Sequence, residues 1–407
     1  MSLKRRQLML PLAVSTACLF LPKSDRIKLP SLISQSKFDQ EKVYQQFLEI
    51  ASSSEDQHPV LLFQGVDKEL EAEIGDYPRR LQQQITCLDY PSIGEIPPIN
   101  EDGLGFLHPE IKEACLCIGS YQDGKLTTKW LGKNALSNQE FWSATKFIPL
   151  LNLICRTNCD VNYCQIRGLT KYNQLKNINF QKLAKDLINY QKKIASSNAL
   201  AATLKRFQPQ IELERWVKNI TGNQDLIFRG RYGEPPFINQ PELYNSLTEN
   251  VVLTPDKQEA HWGDNSISAY DLTRLISQLG WHYYLHPSAK LPGINDANLD
   301  SLIQILGFDT ARFTERAIAM LGLEKQLDSL VVLSKQGYGV TSIRNRTEAV
   351  YVALIQFNYQ QQLFTLGMTL KSALALQPRD VIQELVRLEA RLATEITDII
   401  EWVINMK

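Results

Sequence analysis

Apolar and polar residues follow a strand-like pattern in two separate parts of the chain. In EACLCIGSYQDGKLTTKWLG (residues 113–132), two β-like runs flank Asp123-Gly124, a dipeptide typical of tight hairpin turns. Three later runs rich in β-branched and aromatic residues, at 329–339, 347–358 and 361–370, predict three more strands. The early and late strands are expected to share one antiparallel sheet.

Apolar residues recur at helix-like spacing in six other segments of the chain. This spacing predicts helices at 38–51, 179–195, 266–281, 299–308, 310–322 and 379–406. The apolar run 141–154 predicts another helix, and the capping-box spacing of Ser137 and Glu140 places its start near 138–140. A hairpin, several helices, three strands and a final helix packed on the sheet make an α+β fold, an antiparallel β-sheet flanked by helices.

Composition and charge are those of an ordinary globular chain. The 407 residues are 44% hydrophobic and 22% charged, with 44 acidic and 44 basic residues, so we expect no nucleic-acid partner. The start differs, because Lys4-Arg5-Arg6 precedes an apolar run at 8–21, as in an export signal or membrane anchor; a buried helix also fits. We predict a signal peptide or membrane anchor at 1–24, an extension of unknown role at 25–104, and the main domain at 105–407.

Cysteine and histidine placement does not favour a metal site. Cys155, Cys159 and Cys164 are close enough in sequence to form disulfides in an exported chain, or to remain buried thiols. No histidine lies among them, which argues against zinc. His282 and His286 sit among aromatic residues, a setting that favours packing. We expect no metal and no organic cofactor.

The apolar stretch FWSATKF (141–147) contains Ser143 and Lys146, which lie three residues apart and therefore on one helical face. An ammonium group has no packing role there, so Lys146 either reaches water or is held beside Ser143 for chemistry. Burial or a second cation would lower the lysine pKa and let it activate the serine. The spacing alone is not specific, because Ser34 and Lys37 repeat it.

Two further motifs are equally short. In SSN (196–198), Ser196 and Asn198 lie between two predicted helices, where they either cap a helix or offer a hydroxyl and an amide to a substrate. Lys335 and Gly337 alternate along a predicted strand and so point to one face. They are either an edge lysine followed by a bulge, or a cation beside strand amides that a ligand can approach closely.

Ser-x-x-Lys, Ser-x-Asn and Lys-x-Gly in this order resemble the serine β-lactamase and penicillin-binding protein superfamily, from about residue 110 to the C-terminus. The resemblance implies an all-helical subdomain beside the sheet and an exported, periplasmic or membrane-anchored hydrolase acting on a β-lactam or peptidoglycan-like substrate. It implies these roles: Ser143 as acylating nucleophile, Lys146 as its base, Ser196 as proton relay, Asn198 as ligand of the substrate amide, Lys335 with Gly337 as the carboxylate-binding strand motif, and the N–H groups of Ser143 and Tyr338 as oxyanion hole.

The strand motif departs from the family pattern at Gln336. The family usually has Thr or Ser there, and that hydroxyl helps to bind the substrate carboxylate. Arg344 or Arg346, near the start of the next strand, would either compensate by pairing with the carboxylate or be solvated turn residues.

The residue that activates water for deacylation is also open. The resemblance implies a glutamate in the stretch RYGEPPFINQPELYN (231–245), where Glu234 matches by position. Gln240-Pro241-Glu242-Leu243 matches better by its letters but puts glutamine at the key place. Without such a base, an acyl-enzyme would form and persist.

Three functions are therefore compatible with the sequence. The first is a class A β-lactamase-like serine hydrolase that acts through a Ser143 acyl-enzyme on β-lactam or peptide-like amides. The second is a penicillin-binding, D,D-peptidase-like enzyme acting on peptidoglycan. The third is a non-catalytic binding module of the same fold.

Overall fold

A computed structural model describes residues 39–52, 68–170, 172–256 and 263–406 of the chain. The predicted signal or anchor at 1–24 and the second Ser-x-x-Lys motif at 34–37 lie outside these residues. Within the described ranges, no helix is both long enough and apolar enough to cross a bilayer. The division at residue 105 stays a prediction.

The predicted α+β class is confirmed by the elements that the structure contains. The strands are β1 Thr86–Cys87, β2 Ile99–Asn100, β3 Ile111–Gln122, β4 Lys125–Lys133, β5 Cys164–Leu169, β6 Leu175–Asn179, β7 Ile227–Phe228, β8 Glu242–Asn245, β9 Asn250–Leu253, β10 Asn265–Ser266, β11 Leu327–Thr341, β12 Arg346–Tyr359 and β13 Gln362–Leu374. The helices are α1 Gln40–Ser52, α2 Lys68–Gly75, α3 Tyr77–Leu81, α4 Phe147–Cys155, α5 Phe180–Asn189, α6 Ser197–Leu204, α7 Gln210–Thr221, α8 Ala269–Gly280, α9 Asp296–Gly307, α10 Phe313–Met320 and α11 Val381–Asn405.

One large sheet joins the early hairpin to the late strands. Its order is β1-β4-β3-β13-β12-β11, with β2 also paired to β4. The five long strands are antiparallel to one another, whereas the short β1 and β2 run parallel to β4. Strand β13 pairs with β3 from Phe364↔Ser120 onward. The predicted turn is present, since Asp123 and Gly124 both have positive φ. The order leaves β11, which carries Lys335 and Gly337, at the edge.

Alternating side chains of the sheet enter two separate cores. On β12, Val350, Val352 and Leu354 pack with the helices that include α4, α5, α8 and α9. Tyr351 and Ala353 point the other way and pack with α1, α10 and α11. Because side chains alternate along a strand, a central strand buried on both faces has apolar residues at successive positions.

Three sequence-based predictions of local structure require correction. The helix expected from 138–140 begins only at Trp142, because the backbone of Gln139 exchanges two hydrogen bonds with Ile267 and is held extended. The helix predicted at 179–195 ends at Asn189, because Tyr190 adopts a left-handed conformation, with φ of 57°. The four-stranded sheet β6-β5-β8-β9, within the part expected to be helical, was not predicted.

Gly280, the last residue of α8, has no space beside it for a side chain. A Cβ added to Gly280 would overlap Leu354 Cδ2 and lie 2.9 Å from Leu354 Cγ, in a fully buried part of β12. Gly280→Ala should therefore lower the free energy of unfolding by about 1–3 kcal/mol. Gly75→Ala is the control, since nothing lies within 4 Å of its added Cβ, and it should gain up to about 1 kcal/mol. Urea denaturation measures both, and equal stabilities would contradict this packing.

Candidate active site

The turn that carries Ser143 is fixed against the edge strand β11. Residues Trp142–Lys146 form a 3-10 helix that leads directly into α4. Trp142 has a φ of 49°, donates its indole N–H to Glu348 Oε2 at 3.0 Å, and lays its ring against Gly339. This anchoring places the serine where the turn meets the sheet, with its side chain partly exposed.

Gly337 allows an unusually close approach between β11 and the Ser143 turn. A Cβ at this position would overlap Ala144 N and lie 2.8 Å from Ser143 N. The main-chain carbonyl of Gln336 points away from β12, because it accepts a hydrogen bond from Tyr190 Oη at 2.6 Å. In an antiparallel strand the residue two positions on faces the same way, so Tyr338 also presents its N–H at this edge. The N–H groups of Ser143 and Tyr338 therefore lie at this contact, where an oxyanion hole would need two donors.

Lys146 is buried and hydrogen-bonded to a neutral partner. Its side chain is 1% exposed, and Nζ donates to Ser197 Oγ at 2.8 Å. The rings of Tyr190 and Tyr232 lie 5.6 and 5.7 Å from Nζ. Burial, and next the charge of Lys335, hold the pKa of Lys146 well below its usual value, against the opposing effect of Glu234. This shift favours the neutral amine, the form that can accept a proton.

Ser196, Asn198 and Glu234 form a cluster of their own. The Ser196 hydroxyl accepts from the backbone N–H of Ala199, which caps α6, and donates to Glu234 Oε2 at 2.5 Å. Asn198 Nδ2 donates to Glu234 Oε1 at 3.2 Å. The predicted relay serine thus meets the predicted deacylation glutamate, whereas the hydrogen bond of Lys146 goes to the neighbouring Ser197.

The structure separates the three candidates for the deacylating residue. Glu242 lies on β8 and forms an ion pair with Arg167, at 2.8 Å. Gln240 is exposed in the loop before β8. Glu234 alone among these three contacts the SSN motif, and its charge acts on Lys146. The match by position therefore agrees with the geometry better than the match by letters.

Lys335 is fully buried and already paired within the chain. Its Nζ lies 3.7 Å from Asp309 Oδ1, donates to the Ile188 carbonyl at 3.1 Å and sits 3.6 Å from the centre of the Tyr190 ring. Burial lowers the pKa of Lys335 to about 8, although Asp309 opposes this shift. Gln336 points to the other face of the sheet, beside the buried Glu389 of α11.

Sequence reasoning missed two residues of this site, Ser197 and Tyr190. The Tyr190 phenol contacts the Ser143 side chain through a hydrogen bond, besides donating to β11. Burial, with Asp309 and Tyr338, raises the pKa of Tyr190 well above its usual value, so the phenol stays protonated. Ser197 stands next to a predicted residue, but its contact with Lys146 depends on how α6 begins. No pattern distinguishes Tyr190, since only the left-handed end of α5 directs it into the site.

None of the histidines and cysteines that the structure describes takes part in this site. His282 is buried, and burial lowers its pKa to about 4; His286 accepts from the backbone N–H of Ser288. In the described part of the chain, no group of three or more His, Cys, Asp or Glu residues is placed to hold a metal ion. Cys159 and Cys164 are thiols whose sulfur atoms lie 3.6 Å apart.

The pH dependence of Ser143 acylation is expected to report the charge of Lys335. The double variant Lys335→Met/Asp309→Asn removes a cation that lowers the pKa of Lys146 and leaves no unpaired buried carboxylate. The pKa of Lys146 should rise, so the rising limb of the rate against pH should move to higher pH. The rate of fluorophosphonate labelling between about pH 6 and about pH 10 measures this. Lys205→Met, which removes another buried lysine, should leave the limb in place; equal profiles for wild type and double variant would contradict the coupling.

Comparison with known proteins gives no match to a protein-family model and none to a curated protein. Among solved structures, the chain is similar to a class A β-lactamase from Bacteroides cellulosilyticus, with 13% identity, 79% of this chain and 98% of that chain covered, and a TM-score of 0.43. It is similar to a class A β-lactamase from Mycobacterium abscessus, with 15% identity, 72% and 96% coverage, and a TM-score of 0.42. It is also similar to a PBP-A variant in an acyl-enzyme complex with penicillin G, with 13% identity, 82% and 98% coverage, and a TM-score of 0.39.

These structures come from the superfamily that the three motifs resemble. Likenesses of this score and identity say nothing about the activity of this chain. The chemistry of the site therefore has to be argued from its own residues.

Proposed function

We propose that the protein is a serine hydrolase that forms an acyl-enzyme on Ser143. The observation that carries this proposal is Lys146, a buried amine one helical turn after the serine, with its pKa held well below the usual value and a hydroxyl as its hydrogen-bond partner. A buried lysine without a directly bound carboxylate is costly for stability. A role as general base accounts for keeping it at this position.

The reaction follows from the groups around Ser143. Lys146 takes the proton of the Ser143 hydroxyl, directly or through the Ser197 hydroxyl that it contacts. Ser143 Oγ then attacks the carbonyl carbon, and the N–H groups of Ser143 and Tyr338 stabilise the resulting oxyanion. As the tetrahedral intermediate collapses, the protonated Lys146 returns the proton to the leaving group, directly or through the Ser197 hydroxyl, and the acyl group remains on Ser143. Candidate substrates are β-lactam and peptide-like amides.

Slow release of the acyl group is a second feature of the proposal, in the manner of a penicillin-binding protein. Its basis is the position of Glu234, whose two oxygens accept hydrogen bonds from Ser196 and Asn198. Both donors hold the carboxylate against the SSN motif, and only about two of its four lone-pair sites remain for a water. We therefore expect acylation to be faster than deacylation.

Labelling with a fluorophosphonate, compared between wild type and Ser143→Ala, tests the hydrolase proposal. The wild type should be labelled and the alanine variant should not. Nitrocefin turnover and a chase of bound fluorescent penicillin then measure deacylation, which Glu234→Gln should slow further. Equal labelling of wild type and Ser143→Ala would refute the proposal, and absence of labelling in both would favour a non-catalytic binding module. Prompt release of the penicillin would refute slow deacylation alone.

Export is a separate part of the proposal and rests on the basic and apolar pattern of residues 1–24. Fusing this segment to a reporter that is active only outside the cytoplasm tests it. Reporter activity that is lost when Lys4, Arg5 and Arg6 are replaced by glutamate supports export. Activity independent of the segment would refute it.

A further inference from the structure

The cations that would bind a substrate carboxylate are already paired with carboxylates of the chain. From this we infer that the hydrolase accepts neutral acyl donors at least as well as substrates whose leaving group carries a carboxylate. This inference rests on the proposed function and names the substrate class of that same site. It concerns Lys335, Arg344 and Arg346, the three cations nearest to the strand motif in sequence.

Lys335 is already paired with a buried carboxylate of the chain, that of Asp309. Asp309 Oδ1 lies 3.7 Å from its Nζ, and both side chains are fully buried. Ser334 Oγ donates to the other Asp309 oxygen at 3.0 Å, which holds the carboxylate in place. The ring of Tyr190 covers Nζ at 3.6 Å. An incoming carboxylate would have to displace the tyrosine ring and then share the ammonium with Asp309.

The positive charges of Arg344 and Arg346 are paired with a second buried carboxylate, that of Glu348. Arg344 Nε and Arg346 Nε donate to Glu348 Oε1 at 3.0 and 2.8 Å. Arg344 also forms an ion pair with Glu140 at 3.1 Å. Trp142 and Lys371 contact Glu348 from the remaining sides. Arg344 has Nε, Nη1 and Nη2 engaged by Glu348, Gln139 and Glu140, and Arg346 directs Nε and Nη2 at Glu348. Because both positive charges are already paired, compensation by Arg344 or Arg346 is not favoured.

Gln336, the remaining position of the strand motif that could contact a substrate carboxylate, also faces away from the site. Gln336 stands where the resembled family has a hydroxyl, and its side chain lies beside Glu389 on the α11 face of the sheet. The Ser143 turn and Lys335 lie on the other side of the strand. A negative charge on the leaving group therefore meets paired cations and the carboxylates that pair with them. A neutral leaving group avoids that desolvation cost.

A matched pair of esters tests this inference. Phenylacetylglycine phenyl ester and its analogue with a meta-carboxylate on the phenol ring share the acyl group and differ in one charge. At about pH 6, where Lys335 is charged, the wild type should show kcat/KM for the neutral ester equal to or above that for the anionic one. Asp309→Asn removes the competing carboxylate but also the charge that opposes the fall in the pKa of Lys335, so the two esters are compared from about pH 5 to about pH 7. The ratio should shift by about tenfold towards the anionic ester at the acid end of this range.

Glu140→Gln is the second variant, because Glu140 is half-exposed and its loss should not impair folding. It should shift the ratio in the same direction by a few-fold, with kcat/KM for the neutral ester unchanged. A wild type that prefers the anionic ester by about tenfold or more would overturn the inference, as would an unchanged ratio in both variants. Absence of acylation by either ester and by a fluorophosphonate would instead refute the hydrolase proposal on which the inference rests.

Discussion

Lys146→Met is expected to slow the acylation of Ser143 by about 10²–10⁴-fold, the usual contribution of a positioned general base. The methionine keeps most of the buried volume but has no proton acceptor of comparable basicity. Because burial, and next the charge of Lys335, lower the pKa of Lys146, its loss removes the group best placed to accept the Ser143 proton. Stopped-flow or timed fluorophosphonate labelling gives the rate directly.

Lys205→Met is the matched control for this experiment. Lys205 is also buried, its pKa is lowered to about 7 by burial, and it donates to the Gly230 carbonyl and to Asn265. Loss of Lys205 should lower stability while leaving the labelling rate of the folded protein within a few-fold of wild type. Similar rates for Lys146→Met and wild type would remove Lys146 from the mechanism.

Gly337→Ala is expected to reduce acylation by about 10²–10³-fold, as does the loss of one oxyanion-hole donor. The added methyl group would overlap Ala144 N and press on Ser143 N, so either the turn or the strand must move. Ser143 and Tyr338, whose amides form the proposed oxyanion hole, lie at or next to this contact. The expected loss is in the rate constant of acylation rather than in initial binding, because the donors act most strongly on the charge of the transition state.

Gly119→Ala separates this effect from general damage to the sheet. Gly119 lies on β3, where an added Cβ would meet side-chain atoms of Thr365 and Leu126 at 2.7 and 2.9 Å. That variant should lose stability but retain its rate once folded. If Gly337→Ala kept the wild-type rate, the close approach of β11 to Ser143 would have no catalytic purpose.

The large sheet could be predicted because its signals are local and periodic. The Asp123-Gly124 turn fixes the first hairpin, and β-branched runs on both faces of β12 identify a central strand. The start of the Ser143 turn could not be predicted, since it depends on a bridge between Gln139 and Ile267, far apart in sequence. In that case tertiary pairing prevails over the capping signal of Ser137.

In the candidate site, too, residues that are close in sequence could be predicted, whereas partners from distant segments could not. Ser143 and Lys146 are close in sequence, so their spacing places them on the same turn. Asp309, which pairs with Lys335, comes from a distant segment and has no motif. Tyr190 enters the site only because the chain turns left-handed there. Partners of this kind determine which charges are free, and so they bear on substrate class more than the motifs do.

The most direct test of the account is to trap the acyl-enzyme. Wild-type protein would be quenched in acid during turnover of the neutral phenylacetylglycine ester, digested, and analysed by tandem mass spectrometry. The account predicts one phenylacetylglycyl group, attached to the hydroxyl of Ser143 and missing in Ser143→Ala. An acyl group on another residue, or ester hydrolysis at the wild-type rate by Ser143→Ala, would contradict it.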